Sequence, residues 1–393
     1  MSTIDKLLEG VEVEWKMLGE VSELKRGTTI TAKNKIDGEI PVISGGQKPA
    51  YYNSEFNRDG ETITVAGSGA YAGFVMYWNE PIFVSDAFSV KPNLTILNTR
   101  YVFHFLINNQ EWIHNLQKGS GVPHVYPKDL ANLSIPIPPL SVQKEIVRIL
   151  DTFTELTAEL TAELTARKKQ YNFYREQLLN FDLTTKGTKD TKDVVWKTLG
   201  EVIISLKTGL NPRKNFLLNT KDAKCFYVTV REIQNGNIIF LDKTDRVNER
   251  ALELINNRSN LEVGDILFSG TGTIGRTAVI EEKPVNWNIK EGVYVIKPVS
   301  EIINSRYLSH LLNTEYLVKE YSKKIVGSPV ASLPMSELKK LNIPIPSLEE
   351  QARIVSILDS FDTLTTSISE GLPKEIELRK KQYEYYRDRL LTF

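Results

Sequence analysis

The sequence contains very few of the residues that form disulfides and metal centres. Its 393 residues include one cysteine, Cys225, and four histidines. One cysteine excludes an internal disulfide and fits a reducing, cytoplasmic environment. So few thiol and imidazole groups leave little for a structural zinc site. No apolar run approaches the length of about 18 residues that a membrane-spanning helix needs, so we expect no membrane partner.

Neither sign of charge is in excess, because 49 basic residues balance 49 acidic ones. A net charge of zero argues against a general nucleic-acid binder. The distribution is uneven, since residues 191–345 hold 22 basic and 17 acidic residues, a net charge of +5, whereas residues 1–140 hold 12 and 15, a net charge of −3. Any affinity for DNA must therefore come from local patches and from partner subunits.

The segment Ser141–Leu179 is free of glycine and proline and rich in helix-forming residues. From Val142 to Leu160 its apolar residues recur at alternating steps of four and three, the spacing of a coiled-coil seam. This pattern predicts one helix roughly 60 Å long. Such a helix cannot bury its seam on itself, so it needs a partner of similar length.

The partner is a second copy in the same chain. IVRILDTF at Ile146–Phe153 returns as IVSILDSF at Ile354–Phe361, and RKKQYNFYREQLL at Arg167–Leu179 returns as RKKQYEYYRDRLL at Arg379–Leu391. Glycine and proline at positions 371 and 373 predict a break or kink in the second copy. We expect the two helices to pack as an antiparallel coiled coil with a pseudo-twofold axis. The alternative is a coiled coil that dimerises two chains.

A globular module precedes each helix. WKMLGEV at Trp15–Val21 recurs as WKTLGEV at Trp196–Val202, and LSIPIP at Leu133–Pro138 recurs as LNIPIP at Leu341–Pro346. The fold class predicted is therefore α+β, with two similar mixed α/β domains separated by two long helices. The segments are residues 1–140 for the first domain, 141–183 for the first helix, 184–346 for the second domain with its linker, and 347–393 for the second helix, kinked near 371–373.

Short runs of β-branched and aromatic residues predict the strands of each module. They are Glu61–Val65, Phe74–Trp78, Ile82–Val84 and Phe88–Val90 in the first module, and Phe226–Val230, Asn237–Leu241, Ile266–Ser269, Thr277–Ile280 and Val293–Ile296 in the second. Helices are predicted at Asn98–Gln117 and near Asn304–Tyr321.

No motif in the sequence indicates a catalytic centre. Residues Gly270–Gly275 fit G-x-G-x-x-G, but a strand-like run follows them, whereas a dinucleotide-binding loop leads into a helix. This loop and its counterpart Gly67–Gly73 are better interpreted as hairpin turns with small polar tips. His104 and His310 recur at matching positions, and we interpret them as buried, hydrogen-bonded imidazoles rather than metal ligands.

Loops that combine cations, glycines and small hydroxyls are the candidates for DNA contact, because such loops approach phosphates and base edges closely. For each residue alone, a solvated surface charge is the competing interpretation. The candidate DNA-binding residues are Lys25, Arg26, Gln47, Lys48, Ser68, Tyr71, Lys118, Ser120, His124, Arg213, Lys214, Thr271, Arg276, Lys323, Lys324 and Ser328.

The repeated RKKQY segments carry a second group of candidates. Their aromatic residues could stack on bases, although a helical core or a groove for a partner subunit fits better. The candidate partner-binding residues are Tyr171, Tyr174, Arg175, Tyr383, Tyr386 and Arg387.

The ensemble of WK-x-LGEV, IPIP, ILD-[ST]-F and RKKQY segments in two copies resembles the specificity subunit of type I restriction–modification enzymes, over essentially the whole chain. The resemblance implies two target recognition domains that each read one half of a split site on double-stranded DNA. It also implies helices that set the spacer and dock two adenine-N6 methyltransferase subunits, with restriction subunits joining later. S-adenosylmethionine, ATP and Mg²⁺ are then cofactors of those partners, and this chain is non-catalytic with no metal.

Two rival functions come from other classes. One is a structural scaffold whose coiled coil presents two protein-binding modules without preference among DNA sequences. The other, which has less support, is a free-standing methyltransferase that binds S-adenosylmethionine itself.

Overall fold

The computed structural model describes residues 7–30, 36–181, 194–213, 215–367 and 370–393. The chain divides into two compact units, one made of Met1–Thr161 and Glu375–Phe393 and the other of Ala162–Lys374. Each unit contains one globular module and parts of both helical regions. The predicted α+β class with two similar modules is confirmed.

The first module is built on strands, with short helices packed against them. Its strands are β1 (Glu14–Met17), β2 (Ser22–Arg26), β3 (Ile40–Ile43), β4 (Tyr51–Asn53), β5 (Glu61–Ala66), β6 (Val75–Asn79), β7 (Phe83–Val84), β8 (Ala87–Pro92) and β9 (Ser134–Ile137). Its helices are α1 (Leu18–Val21), α2 (Thr99–Asn108), α3 (Gln110–Asn115) and α4 (Pro127–Leu130). The strands form an antiparallel sheet in the order β2-β8-β5-β6, a sheet in the order β4-β3-β7, and the pair β1-β9.

The second module repeats this plan. After helix α5 (Leu140–Leu178) come β10 (Val195–Thr198), β11 (Ile203–Thr208), β12 (Cys225–Val228), β13 (Ile233–Gln234), β14 (Asn237–Ile238), β15 (Arg246–Val247), α6 (Glu249–Asn256), β16 (Ile266–Ser269), β17 (Thr277–Val279), β18 (Trp287–Ile289), β19 (Val293–Pro298), α7 (Ser305–Leu312), α8 (Glu315–Ser322), α9 (Met335–Lys339) and β20 (Asn342–Ile345). The sheet order β11-β19-β16-β17 matches the four-stranded sheet of the first module, and β10 pairs with β20 as β1 does with β9. The repeated WK and IPIP residues thus lie in the two strands of one pair in each module, and the LGEV residues begin a short helical turn after the first of these strands.

The main core of each unit joins this four-stranded sheet to the helices behind it. In the first unit, Ile63 and Val90 of the sheet share a cluster with Tyr101 of α2 and with Ile146 and Leu150 of α5. All five side chains are completely buried. A fully buried large apolar side chain stabilises a fold by about 1.5–3 kcal/mol, so this cluster holds the first turns of α5 firmly to the module.

The two predicted module helices, Asn98–Gln117 and Asn304–Tyr321, were wrong as single elements. Each is two helices, because the helix is interrupted at Asn109 in the first module and at Asn313 and Thr314 in the second. In the first module Asn109 has φ −99° and ψ 18°, and its amide bonds back to the carbonyls of Phe105 and Leu106. In the second, Thr314 is extended and its hydroxyl caps the amide of Leu317.

The glycine-rich loops are hairpin turns, as predicted. Gly67–Gly73 joins the antiparallel strands β5 and β6, and Gly270–Gly275 joins β16 and β17. Gly272 and Gly275 have φ of +77° and +96°, which residues with a side chain rarely adopt. Because β17 follows directly, this turn does not lead into the helix that a dinucleotide-binding loop requires.

The helical regions differ in continuity. Helix α5 is one unbroken element of 39 residues. The second region consists of α10 (Leu348–Thr366) and α11 (Leu372–Leu391). Gly371 lies just before α11 with φ +81°, and a Cβ there would come within 2.5 Å of the carbonyl oxygen of Thr363. Pro373 lies in the first turn of α11, where proline is tolerated.

Antiparallel packing of the helices is visible within each unit. In the first unit Phe153 of α5 stacks on Tyr386 of α11 with ring centroids 5.0 Å apart, and Leu150 shares a core with Leu390. Residue numbers rise along one helix as they fall along the other. In the second unit Tyr174 stacks on Phe361 at 5.5 Å. No helix among the described residues has the length and apolar character needed to cross a membrane.

Candidate nucleic-acid interface

Two of the predicted loops of the first module meet at the tip of its sheet. His124 pairs through its backbone with both Ser68 and Lys118. Gly69 donates its amide to the carbonyl of Pro123 at 3.0 Å. The β5–β6 turn, which also carries the exposed Tyr71, therefore lies against the 118–124 loop, which carries the exposed Ser120.

Other candidates approach the same tip. A Cβ on Gly45 would meet the carbonyl oxygen of Ser68 at 2.3 Å, so the turn bearing the exposed Gln47 and Lys48 lies beside the hairpin. The guanidinium of Arg26 lies 5.3 Å from the ring centre of Tyr126, whose ring stacks on that of His124 at 6.0 Å. Arg26 therefore lies close to the tip that the β5–β6 turn and the 118–124 loop form.

Tyr126 and Arg58 also contact residues at this tip, and neither was predicted from the sequence. Tyr126 links Arg26 to His124, and its position just after the predicted 118–124 loop was the available signal. Arg58 donates to the backbone carbonyls of Lys25 and Arg26 at 3.3 and 3.1 Å and to the hydroxyl of Ser89 at 2.7 Å. Nothing in the local sequence indicates this role, because its partners are 31–33 residues away.

The second module builds the same tip from different side chains. Ser332 pairs through its backbone with Thr271 and with Val326, the pattern that His124 makes with Ser68 and Lys118. Both ladders lie at the same place in the repeat, since positions 118 and 124 correspond to 326 and 332 at an offset of 208. The Thr271 and Ser332 hydroxyls lie 3.3 Å apart. Ser332 was not among the predicted residues.

The remaining candidates of the second module are spread more widely. Lys323 pairs with Glu320 at 2.6 Å, Lys324 lies 3.7 Å from Glu337, and Ser328 is exposed in the loop between them and Ser332.

Two more candidates of this module lie outside that loop. Arg276 donates to the carbonyl oxygen of Val230 at 3.0 Å, which fixes it beside β13. Arg213 has a φ of +33° in the segment after β11, and Lys214 lies outside the described residues.

Several of the candidates, charged or polar, already have a carboxylate partner. Lys118 contacts both oxygens of Asp129 at 2.8 Å, and Ser68 hydrogen-bonds to Asp86. Exposed ion pairs of this kind contribute only about 0–1 kcal/mol. A phosphate can therefore replace such a partner at little cost in stability.

A second set of functional residues joins each module to the helices. In the first unit His104 is completely buried, and its Nε2 donates to Asp151 of α5 at 2.7 Å. Its Nδ1 accepts from the hydroxyl of Tyr383 of α11 at 3.0 Å. Arg100 binds the same carboxylate, and its guanidinium lies 4.4 Å from the ring centre of Tyr77. One histidine thus connects the module to both helices.

The electrostatics of this junction favour a neutral imidazole. Burial lowers the pKa of His104, and the hydrogen bond to Asp151 only partly opposes this effect. Burial alone would raise the pKa of Asp151, but the hydrogen bonds from His104 and Arg100 outweigh it and hold the pKa below its usual range. The neutral tautomer with its proton on Nε2 matches both contacts of His104.

The second unit repeats the junction at matching positions. His310 contacts Asp359 through Nε2 at 2.9 Å and the Tyr171 hydroxyl through Nδ1 at 3.2 Å, and Arg306 binds the same carboxylate. The prediction that His104 and His310 are buried and hydrogen-bonded is therefore confirmed. The sequence signal for the partners was present, because each aspartate belongs to a repeated ILD-[ST]-F segment and each tyrosine to a repeated RKKQY segment.

A glutamine strengthens both junctions. The side-chain oxygen of Gln143 accepts from the amide of Asn98 at 2.8 Å, and its nitrogen donates to the carbonyls of Ile96 and Pro138. Gln351 makes the corresponding three bonds in the second unit. Both glutamines are completely buried, so the first turn of each helix is fixed to its module by a fully paired amide.

The predicted partner-binding residues mostly serve contacts within their own unit. Tyr171 and Tyr383 bond to the histidines, and Tyr174 and Tyr386 stack on phenylalanines. The other two, Arg175 and Arg387, lie over the rings of Tyr171 and Tyr383, both at 5.5 Å. The most exposed aromatic residues of the two repeated segments are Phe173 and Tyr385, with 61% and 55% of their surface accessible, whereas Tyr174 is 39% accessible.

The profile of the family described as the type I restriction modification DNA specificity domain matches residues 10–167 and 191–378. The chain therefore belongs to the family of type I restriction enzyme specificity subunits. It is 33% identical to the specificity subunit of EcoR124I/EcoR124II from Escherichia coli, over 100% of this chain and 97% of that one. It is 35% identical to the Haemophilus influenzae protein named type I restriction enzyme specificity subunit S.HindORF215P, over 99% and 98%.

Solved structures show the same fold. The S subunit of the type I restriction–modification system from M. genitalium superposes with a TM-score of 0.64 at 18% identity, over 100% of both chains. A chain from a study of complex assembly and conformational transition of the type I system superposes with a TM-score of 0.58 at 16% identity, over 96% and 97%. Both agree with the two-module α+β fold described above.

Proposed function

We propose that each module reads one half of an asymmetric, bipartite DNA target. The observation that supports this most strongly is the matched tip of the two modules. The backbone pairing is the same in both, but Ser68, Lys118 and His124 of the first module correspond to Thr271, Val326 and Ser332 of the second. A common frame with different side chains suits two readers of different sequences.

The clustered loop residues are proposed to divide the work between bases and phosphates. Hydroxyls and imidazole at the tip, such as those of Ser68 and His124, are suited to base edges. Cations beside them, such as Arg26 and Lys48, are suited to phosphates, which set the register on the duplex. DNA is thus proposed to approach each module at the turn end of its four-stranded sheet.

The helices are proposed to hold the readers at a fixed interval and to dock two methyltransferase subunits. S-adenosylmethionine, ATP and Mg²⁺ are proposed to bind to the methyltransferase and restriction subunits, so that this chain is a non-catalytic recognition subunit. The continuous helix α5 supports the spacer role, since its tetrapeptide repeat Thr157–Leu160 and Thr161–Leu164 is helical throughout. The hydroxyls of Thr157 and Thr161 bond within the helix, to the carbonyls of Phe153 and Thr157.

Insertion of one more Thr-Ala-Glu-Leu unit after Leu164 is expected to lengthen the unread spacer of the target without changing either half-site. Four helical residues add roughly 6 Å, which is one or two base-pair rises of about 3.4 Å each. Mapping methylated adenines in a genome that carries the variant measures both half-sites and the spacer.

A variant of unchanged length is the control for this insertion. Reversing the order of residues within Thr161–Leu164 keeps the helix length, so the spacer should stay as in the parent. If the insertion changed a half-site and left the spacer unchanged, the helices would not set the distance between the readers.

The docking surface for the methyltransferases is proposed to centre on Phe173 and Tyr385. Each exposed ring is braced edge-on by the ring beside it, Tyr174 at 5.6 Å and Tyr386 at 5.4 Å. A neighbouring ring that holds an exposed aromatic ring in place reduces the entropy lost on binding. The two positions match at the helix repeat offset of 212, which supports one docking surface per methyltransferase subunit.

Replacement of Phe173 by alanine is expected to weaken the binding of one methyltransferase copy about 30-fold or more, since an aromatic hot spot contributes about 2 kcal/mol. Native mass spectrometry of the reconstituted complex should then show a shift from two copies to one. Tyr385→Ala should remove the other copy, and the double variant both. The control is Phe56→Ala, which removes an equally exposed ring, 54% accessible, from the first module. Two copies in every variant would exclude this surface.

A further inference from the structure

A polar cavity of about 610 Å³ lies in the second unit, beside the junction of module and helices. His310 of α7, Asp362 of α10 and Tyr171 of α5 lie together on its wall, which also includes Asn313 and Thr366. The cavity gives this group of side chains a path to solvent. With this volume and these polar side chains, the cavity can admit a hydrated ion.

The imidazole of His310 is oriented by one carboxylate and faces another. Its Nε2 donates to Asp359 at 2.9 Å, which leaves Nδ1 with a lone pair. Nδ1 lies 3.2 Å from the Tyr171 hydroxyl and 3.9 Å from Oδ2 of Asp362. Histidines that bind metals commonly donate their other ring N–H to a carboxylate in this way.

Within the described part of the chain, no lysine or arginine forms an ion pair with Asp362, and its one basic neighbour in such a pair is His310 at 3.9 Å. Arg306 is itself bound to Asp359 and Glu281, so two carboxylates already neutralise its charge. The carboxylate of Asp362 is about three-quarters buried, so a bound cation would stabilise its charge.

We propose that this site binds one divalent transition-metal cation of the Zn²⁺ type. The ligands are Nδ1 of His310, a carboxylate oxygen of Asp362 and the phenolate oxygen of Tyr171, with water from the cavity, while Asp359 orients the histidine. The hydroxyl proton of Tyr171 is released to the water of the cavity when the ion binds. Ligands about 2.1 Å from a tetrahedral zinc ion lie roughly 3.4 Å apart, close to the 3.2 and 3.9 Å found here. The histidine and both aspartates offer ligand atoms within 4.8 Å of one another.

The ion would stabilise the second unit, because its ligands come from α5, α7 and α10. It would be structural and distinct from the Mg²⁺ proposed for partner subunits. From the sequence, His104 and His310 were interpreted as hydrogen-bonded imidazoles rather than metal ligands. The structure shows that the partners of His310 are aspartates of its own unit, one of which follows the repeated ILD-S-F segment.

The first module provides an internal comparison. Its junction has the same histidine and aspartate, but Thr154 takes the place of Asp362 at the repeat offset of 208. Phe103 replaces Ser309, and its ring lies 5.6 Å from that of Tyr77 and 5.4 Å from that of His104. Aromatic side chains thus occupy the region that is open in the second unit, so the site is specific to the second module.

The test uses the full-length, untagged chain after removal of metals with a chelator. Titration with ZnCl₂ by calorimetry, and with CoCl₂ by visible absorption, should show one bound ion per chain. Asp362→Asn should weaken Zn²⁺ binding at least about 100-fold and Asp359→Asn about 10–100-fold. Thr154→Asn, the matched substitution in the first module, should leave binding unchanged. Saturating Zn²⁺ should raise the midpoint of thermal unfolding of the parent by roughly 5 °C, but not that of Asp362→Asn.

Two results would overturn the site: a parent chain that binds no ion, or an Asp362→Asn variant that binds Zn²⁺ as tightly as the parent. If Asp362→Asn does not fold, the parent alone decides through its imidazole nitrogen NMR signals. The chain has four histidines, and Zn²⁺ should move the Nδ1 signal of one of them. Unchanged signals in all four would be equally decisive against the proposal.

Discussion

Exchange of residues 15–138 for the matching module of another specificity subunit is expected to change one half of the methylated sequence and to leave the other half unchanged. The tip formed by the β5–β6 turn and the 118–124 loop is made entirely within this segment. Each good bidentate base contact contributes about 1–3 kcal/mol of discrimination. Three such contacts would make the former half-site at least about 100-fold weaker.

The donor module must keep the junction for this experiment to succeed. It needs the Arg-Tyr-x-x-His segment that places Arg100 and His104, because Asp151 and Tyr383 remain in the recipient. The reciprocal exchange of residues 196–345 should change the opposite half-site. Adenine methylation across a genome reports both halves at once. A simultaneous change in both halves after either exchange would show that the modules do not read independently.

Replacement of Asp151 by alanine is expected to destabilise the first unit by about 3 kcal/mol. The carboxylate is the shared partner of Arg100 and His104. Its loss leaves a fully buried imidazole N–H unpaired and removes the charge that compensates a guanidinium with only 21% of its side chain exposed. Hydrogen exchange should show faster opening of α2 and of the first turns of α5.

The repeat supplies matched comparisons for this variant. Asp359→Ala should have a similar but smaller effect on α7 and the start of α10 in the second unit, because the corresponding carboxylate binds His310 and Arg306 but Arg306 keeps its second partner, Glu281. Glu145→Ala removes an exposed carboxylate that pairs with Arg148 one turn away on the same helix, and it should leave exchange unchanged. If the amides of α2 and α5 exchanged no faster in Asp151→Ala than in Glu145→Ala, the contacts of Asp151 would not stabilise the packing of the module against its helix.

The repeats and periodicities of the sequence predicted the order of modules and helices well, because these patterns are local. Helix α5 begins and ends within one residue of the prediction. Most predicted strands exist, although the predicted strand Asn237–Leu241 shortens to Asn237–Ile238. The inserted elements around it, including α6, carry their own small core around Tyr227 and Ile255. Because the interiors of the two modules differ in sequence, the internal repeat did not predict these elements.

Contacts between residues that are far apart in the chain could not be predicted from the sequence. The predicted seam of α5 includes Ile149, which is only partly buried, and leaves out Leu150, which is completely buried. The reason is that the helix start packs against the module as well as against α11, so that its buried face is wider than a coiled-coil seam. The junction residues were visible as repeats, but their meeting depends on contacts such as that between His104 and Tyr383, 279 residues apart.

The first unit consists of two separate stretches of the chain, and this affects the order in which the two units are completed during translation. Leu390 and Leu391, at the end of the chain, are buried in the same core as Leu18 near its start. The second unit, by contrast, uses one continuous stretch, Ala162–Lys374. The core of the first module is therefore completed only after the whole second unit has been translated, because it also needs side chains of α11.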